Sequence, residues 1–224
     1  KMNQNQFVIP GDIIVTGSYT LAQNVVLDGD KVMSTAIGFY EIEDNQVNVI
    51  PLTGLYNPKI DDFVIGKVIS HSSLSWEVDI NSYYTSMLPA SDIFGRNYLP
   101  SKDDLSLKLH VGDIMAARIV NVGGTRDPLI SIAGQNLGKI DSGELIKISP
   151  TKIPHLIGKH GSMIQTIEAA TNAAVTIGQN GLIVLKCDNS AGLKKAIASI
   201  KMMDKALHDT NLMEKVQNLL DEKN

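Results

Sequence analysis

A four-residue segment, Gly158-Lys159-His160-Gly161, carries the clearest chemical signal in this chain of 224 residues. The two glycines permit a tight turn and let the main chain approach a sugar-phosphate backbone closely, because no Cβ stands in the way. Lys159 adds a positive charge and His160 a hydrogen-bond donor. A helix that begins at Ser162 would present unpaired N–H groups and the positive end of its dipole to a phosphate. The segment is therefore a candidate clamp for nucleic acid.

The apolar residues around this segment place it between two helices. They recur at helical spacing before and after the glycines: Ile153, Leu156, Ile157, Met163, Ile164 and Ile167. Helix, Gly-x-x-Gly, helix is the arrangement with which KH domains clamp RNA, and the run from Ile157 to Ile164 resembles the core motif of that family. The candidate RNA contacts here are Ile157, Gly158, Lys159, His160, Gly161 and Ser162. The alternative is a tight connection between helices that binds nothing.

Charge is distributed unevenly along the chain. The net charge is -4, but residues 139–224 hold eleven basic and nine acidic side chains. No acidic residue lies between Glu144 and Glu168, whereas three lysines, among them Lys152, lie in that stretch. A local positive patch can form there, and Lys152 joins the candidate RNA contacts.

The pattern of apolar residues predicts a multidomain α+β protein. Residues 1–58 contain short alternating strands and predict a small N-terminal β domain. Longer strand runs in residues 59–138 fit a five-stranded OB-type β-barrel. Residues 139–224 follow the order strand, helix, helix, strand, strand, helix of a KH domain. A capping box from Asn211 to Glu214 predicts a further C-terminal helix.

A second Gly-x-x-Gly, from Gly178 to Gly181, has a different interpretation. Its central residues are Gln179 and Asn180, so an Asn-Gly pair stands between two strand runs. That sequence is typical of a tight hairpin turn. We therefore predict a structural role for this segment.

Aromatic and basic side chains suited to base stacking and phosphate contact occur in the predicted barrel. The candidates are Lys67, Trp76, Tyr83, Tyr84, Arg118 and Arg126. Trp76 and Tyr83 have the alternative of core or rim packing, since one face of each strand must be buried. Lys67 and Arg118 have the alternative of solvated surface charges. No aromatic residue follows Tyr98, so the KH part would hold bases in an aliphatic groove, and an RRM with its aromatic platform is excluded.

Enzymatic function is not predicted. Asp61-Asp62 and Asp103-Asp104 are adjacent carboxylates, but neighbours on a strand point to opposite faces, and both pairs lie in predicted loops. The sequence has no Walker-type loop and no local signature of a nucleophile. Cys187 is the single cysteine, which excludes a multi-cysteine zinc site. We expect no catalytic residue, no cofactor and no metal.

The sequence also bears on location. No apolar run approaches the roughly 18 residues that a membrane span needs. The polar start from Lys1 to Gln6 lacks the apolar core of a signal peptide. We expect a soluble, cytoplasmic protein with no membrane contact.

Nearly the whole chain resembles one family, the RNA-binding cap subunits of the archaeal exosome (ribosomal RNA processing protein four). The resemblance rests on segments in every predicted domain: Val8 to Asp12, Asn48 to Leu52, Ile65 to Ile69, Trp76 to Asn81, Thr125 to Leu129, Ile157 to Ile164 and Gly178 to Gly181. It implies a non-catalytic subunit that captures single-stranded RNA for a hexameric ring with phosphorolytic 3'-to-5' exonuclease sites. It also implies a cap of three such subunits, with the N-terminal domain docked on the ring and the barrels lining an entry pore.

This chain differs from the family pattern at one position, and one other class of protein remains as an alternative. Many barrels of this S-one type carry a histidine at the end of the third strand, where this chain has Pro89. The alternative is a transcription or translation factor that combines an S-one-type barrel with KH domains. Such elongation factors carry two KH copies, whereas this chain has one clamp.

Overall fold

The computed structural model describes residues 6–52, 54–123, 127–158, 161–205, 216–218 and 220. The chain forms two compact units, Lys1–Gly54 and Leu55–Asn224. The first unit thus ends before residue 58, the predicted boundary. The multidomain α+β fold predicted from the sequence is confirmed: a small β domain, an OB-like barrel and a KH domain follow one another. Among the described residues, no helix is long and apolar enough to cross a membrane.

The first unit is built from short strands that pair into two sheets. The strands are β1 (Gln6–Val8), β2 (Ile13–Thr16), β3 (Thr20–Leu21), β4 (Val25–Asp28), β5 (Lys31–Ser34), β6 (Gly38–Glu43) and β7 (Gln46–Pro51). One sheet has the order β1-β6-β7-β3 and the other β2-β5-β4. Alternate residues are buried on β5 and β7, and the buried apolar residues of this unit are Val8, Val32, Val47 and Val49.

The second unit begins with a barrel that closes because its last strand pairs on both sides. The strands are β8 (Phe63–His71), β9 (Ser75–Asp79), β10 (Ser86–Pro89), β11 (Ile114–Asn121) and β12 (Leu129–Ser131). β12 lies parallel to β10 and antiparallel to β11, which completes the predicted five-stranded barrel among the described residues. β13 (Gly138–Ile140) pairs with the outer edge of β11. The connection from β10 to β11 holds α1 (Ala90–Phe94) and a short 3-10 helix, Leu105–Leu107.

The KH domain follows in the predicted order. It contains β14 (Glu144–Lys147), a 3-10 helix (Pro150–Lys152), α2 (Ile153–Ile157), α3 (Ser162–Thr171), β15 (Ala174–Ile177), β16 (Leu182–Lys186) and α4 (Ser190–Lys205). The sheet order is β14-β16-β15. The start of the predicted C-terminal helix, Asn211 to Glu214, lies outside the described residues. Val216 and Leu220 pack in the KH core with Ile167 and Ile200.

The second Gly-x-x-Gly forms the predicted hairpin turn between β15 and β16, and it also joins the KH domain to the barrel. Asn180 is fully buried. Its Oδ1 accepts from the Ile65 N–H at 3.2 Å, and its Nδ2 donates to the carbonyls of Ile65 at 2.7 Å and Ile80 at 2.8 Å. Its own carbonyl accepts from Asn81 Nδ2 at 2.6 Å. The turn therefore supplies partners for barrel backbone groups that would otherwise be buried without one.

Apolar side chains extend this contact. Ile65 of the barrel packs against Leu182 and Val184 of the KH strand β16. Ile114 and Ile140 add to the same cluster. The barrel and the KH domain consequently share buried surface and behave as one compact unit.

Tyr56 shows why the second unit starts at Leu55. Its side chain is buried in the barrel core, and its hydroxyl donates to Asp62 Oδ2 at 2.5 Å. Gln179 Nε2 donates to the other oxygen of Asp62 at 3.1 Å, so the KH turn belongs to the same network. Burial above all, and then the hydrogen bond to Asp62, raise the pKa of Tyr56 beyond its ordinary value. The hydroxyl therefore stays protonated and remains a donor.

Candidate nucleic-acid interface

The first Gly-x-x-Gly lies between α2 and α3, as the spacing of its apolar neighbours predicts. Gly158 ends α2 with φ +70°, and its N–H donates to the Pro154 carbonyl at 3.0 Å. Gly161 precedes α3 with φ +79°. Both values lie in the left-handed region, which favours glycine. Lys159 and His160, the central residues of the predicted clamp, lie outside the described residues.

Space at Gly158 is limited by the first turn of α3. A Cβ at this position would lie 3.1 Å from Met163 Cβ and 3.2 Å from Met163 N. Ser162, the first residue of α3, is exposed, so the N-terminal end of a ten-residue helix faces solvent beside the glycines. The first N–H groups of a helix have no partner within the helix, and this end carries a positive partial charge, so both suit a phosphate.

An aliphatic surface borders the glycines. Ile157 is 38% exposed, and Ile164 on α3 is half-buried. Val175 and Ile177 on β15 are also half-buried, and β15 is an edge strand of the KH sheet as far as the structure describes it. We refer to Ile157, Ile164, Val175 and Ile177 together as the aliphatic groove. They are the candidates for the base-binding surface without aromatic rings that the sequence predicts.

Lys152 lies just before α2. It ends the 3-10 helix Pro150–Lys152 and is half-buried. The neighbouring Ser149 N–H donates to Asp204 Oδ1 on α4 at 2.9 Å, which holds this approach to α2 against the rest of the domain. Lys152 thus lies on the segment that leads to the clamp.

Trp76 requires a correction. Its ring is fully buried in the barrel core, lies parallel to the ring of Phe94 at 6.5 Å, and its Nε1 donates to the Leu109 carbonyl at 3.2 Å. Because no face of the indole is accessible, Trp76 packs the core and does not stack on a base. Tyr83 in the β9–β10 loop is 75% exposed, and its neighbour Tyr84 is exposed as well. The tyrosines remain available for stacking.

Lys67 and Arg118 lie on the outer surface of the barrel, on the neighbouring strands β8 and β11. Lys67 is exposed and lies opposite Asp79 of β9 in register. Arg118 is exposed, and its guanidinium donates to the Asp61 carbonyl at 2.6 Å. The two side chains are four residues apart in register, roughly 13 Å along the strand. Arg126 lies outside the described residues.

The adjacent carboxylates serve local structure. Asp103 accepts from the Leu99 N–H and Asp104 from the Ser106 N–H, both at 2.9 Å. The hydrogen bonds from Ser106 lower the pKa of Asp104. Asp62 is held by Tyr56 and Gln179. In the part of the chain that the structure describes, no three His, Cys, Asp or Glu residues group as a metal site would require.

Comparison with known proteins gives concordant matches. A family model described as the N-terminal domain of the exosome RNA binding protein RRP4 matches residues 5–53, and a KH domain model matches residues 143–202. Exosome complex component Rrp4 of Nitrosopumilus maritimus is 56% identical over 99% of this chain and 98% of its own length. Its counterpart from Saccharolobus solfataricus is 32% identical over 99% of this chain and 90% of its own length. A crystal structure of an exosome complex RNA-binding protein aligns with a TM-score of 0.72 and 35% identity, and covers 75% of this chain and 96% of that chain.

Proposed function

Because the chain belongs to the family of exosome complex component Rrp4, we propose that it is a non-catalytic cap subunit that captures single-stranded RNA and passes it to a phosphorolytic 3'-to-5' exonuclease ring. The clamp is the observation that supports RNA binding. Gly158 and Gly161 both have positive φ, and Gly161 directly precedes the N-terminal end of α3, near the residues of the aliphatic groove. A phosphate fits the N–H groups, and unstacked bases fit the groove. The substrate is single-stranded, since a duplex hides its bases from such a groove.

Two further features support a non-catalytic role for this chain. The adjacent carboxylates that could have suggested a metal-dependent nuclease are engaged in turns and in the joint between barrel and KH domain. The exposed tyrosines and the basic residues of the barrel offer contacts to RNA without a reacting group among them. We therefore assign catalysis to the ring and RNA binding alone to this chain. We assign its location to the cytoplasm.

The first unit offers a surface for the ring. Phe7, Phe39 and Ile50 lie opposite one another on β1, β6 and β7, and the rings of Phe7 and Phe39 meet edge to face at 5.7 Å. Ile9 and Ile37 adjoin them at the same end of the sheet and are exposed. We call these five residues the apolar face. A contiguous exposed apolar surface of this kind marks a protein interface.

Two acidic residues follow the apolar face along β6. Glu41 and Glu43 lie two and four residues beyond Phe39, and the two-residue period of a strand puts them on the same side of the sheet. The partner that fits this surface has an apolar centre and a basic rim. We assign ring docking to the N-terminal domain and RNA contact to the barrel and KH domain, with other cap subunits completing a trimeric cap.

Changing Lys159 and His160 together to Asp should weaken RNA binding by at least about tenfold, roughly 1.4 kcal/mol. Both glycines and the turn are kept, while two negative charges would stand where a phosphate lies. The full chain is titrated with a labelled single-stranded RNA, and a melting curve checks the fold. Lys194→Asp with Lys201→Asp on the exposed side of α4 is the control for charge, and its effect should be smaller. Equal affinity of the well-folded loop variant and the wild type would assign the loop a purely structural role.

RNA affinity should depend strongly on salt. The contacts available to phosphates are Lys, Arg and N–H groups, and each neutralised phosphate releases counterions. For about three phosphate contacts on a single strand, a fourfold rise in salt should weaken binding by roughly tenfold or more. Titrations at several salt concentrations measure the slope of the logarithm of the binding constant against the logarithm of the salt concentration. A slope near zero would argue against binding led by the RNA backbone.

A further inference from the structure

Asn48 on β7 holds a polar atom that lacks a partner. Its Oδ1 is buried and has no hydrogen-bond partner among the described residues. A buried acceptor without a partner costs free energy, because it has given up its hydrogen bonds to water. Asparagine is also a poor strand residue, yet Asn48 lies in the interior of the six-residue strand β7. Two costs to stability thus meet at one residue of the first unit.

The sheet places Asn48 beside the apolar face. Val47 and Val49, its neighbours in the strand, are buried, so Asn48 points to the opposite side of the sheet, as Ile50 of the apolar face does. Glu41 of β6 lies directly opposite Asn48 in register, which puts their Cβ atoms roughly 5 Å apart. An amide and a carboxylate therefore stand side by side next to the apolar face.

The charge of the first unit fits a cationic partner. Residues 1–54 hold two lysines and six acidic residues, a net charge of -4, whereas residues 55–224 hold eighteen residues of each sign. Glu41 is half-buried, and a charge away from bulk water interacts more strongly with a counter-charge. A cationic side chain that reaches this row would meet a favourable field and could donate N–H groups to both residues.

We propose that Asn48 recognises a cationic side chain of the ring partner, accepting one hydrogen bond on its amide oxygen while Glu41 accepts another. The inference rests on the ring docking proposed above. The last torsion of an asparagine side chain is broad, so the amide can turn its oxygen towards a partner at little cost. Docking then gives the acceptor the charge-assisted hydrogen bond that it lacks in the free chain. A neutral apolar partner would leave both groups buried without a bond, so the pair selects against it.

Replacing Asn48 by Leu, which has a similar size, separates docking from folding. The change removes the unpaired acceptor, so amide hydrogen exchange of β6 and β7 should slow in the free chain. The affinity of the full chain for the ring, measured by titration, should nevertheless fall about tenfold or more, as the loss of a hydrogen bond to a charged group predicts. A residue that only supported the fold would not weaken docking while it stabilised the free chain.

Two further variants serve as comparisons. Asn48→Asp keeps an acceptor opposite Glu41, so ring affinity should stay within about threefold of the wild type, while repulsion between the carboxylates should speed hydrogen exchange in the free chain. Gln23→Leu makes the same amide-to-leucine change at an exposed residue of the first unit, where water solvates the amide. It should leave both ring affinity and hydrogen exchange as in the wild type.

The pairing with Glu41 is tested by a double variant. If one cationic group serves both residues, the losses from Glu41→Gln and Asn48→Leu should not add in the chain that carries both changes. Additive losses would overturn the shared partner. Undiminished ring affinity of Asn48→Leu, with binding lost in Phe7→Glu and Ile37→Glu, would overturn the role of Asn48, assign its acceptor to a bound water, and leave ring docking intact. Failure of the wild type to bind the ring would overturn both.

Discussion

A chain with Phe7→Glu and Ile37→Glu should lose at least about 100-fold in affinity for the exonuclease ring while its fold survives. Phe7 and Ile37 are 54% and 51% exposed, so the substitutions cost little stability in the free protein. In a complex the new carboxylates would be buried against an apolar partner without a counter-charge, at a cost of several kcal/mol. Co-migration with ring subunits in gel filtration, followed by a binding titration, measures the loss.

The control carries Leu74→Glu and Leu107→Glu, two barrel leucines that are more exposed than either target. It adds the same charge outside the apolar face and should bind the ring as the wild type does. A truncation that begins at Leu55 should also lose ring binding and stay folded. A truncation through Pro58 would remove Tyr56 from the barrel core and would test stability as well as docking. Undiminished ring binding by the Phe7 and Ile37 variant would place docking elsewhere.

Replacing Asn180 by Ala should lower the free energy of unfolding of the second unit by about 3 kcal/mol. The side chain is fully buried and serves the N–H and C=O of Ile65 and the C=O of Ile80. Each buried polar group left without a partner costs about 1–3 kcal/mol, less where water enters the space. Urea denaturation of the wild type and the variant measures the difference.

Gln179→Ala is the neighbouring control. Gln179 also reaches the barrel, where its Oε1 accepts from the Phe63 N–H at 2.6 Å, but its side chain is exposed. Water can replace that partner, so the loss should stay near about 1 kcal/mol. An effect of Asn180→Ala no larger than that of Gln179→Ala would mean that the turn contributes little to the joint between barrel and KH domain.

Local features of the chain were predictable from the sequence. The glycines at 158 and 161 adopt positive φ because a tight turn between two helices requires it, and the apolar spacing around them shows where the helices begin and end. The order of KH elements and the Asn-Gly hairpin follow from periodicity and turn chemistry in the same way. These properties depend on neighbours in the sequence, which is why the pattern of residue types contains them.

The tertiary structure alone decided which side chains are exposed and which are buried among other residues. Trp76 is suited to stacking by its type, but the strand face that carries it closes onto the barrel core. Asn180 is a turn residue by its sequence, and only the meeting of the hairpin with β8 makes it a buried partner of Ile65. Glu168 looks like a solvated helix acid until α3 and β15 bring it to Val175. Such contacts join residues far apart in the chain, and because burial and hydrogen bonding depend on what the fold brings near, no local pattern contains them.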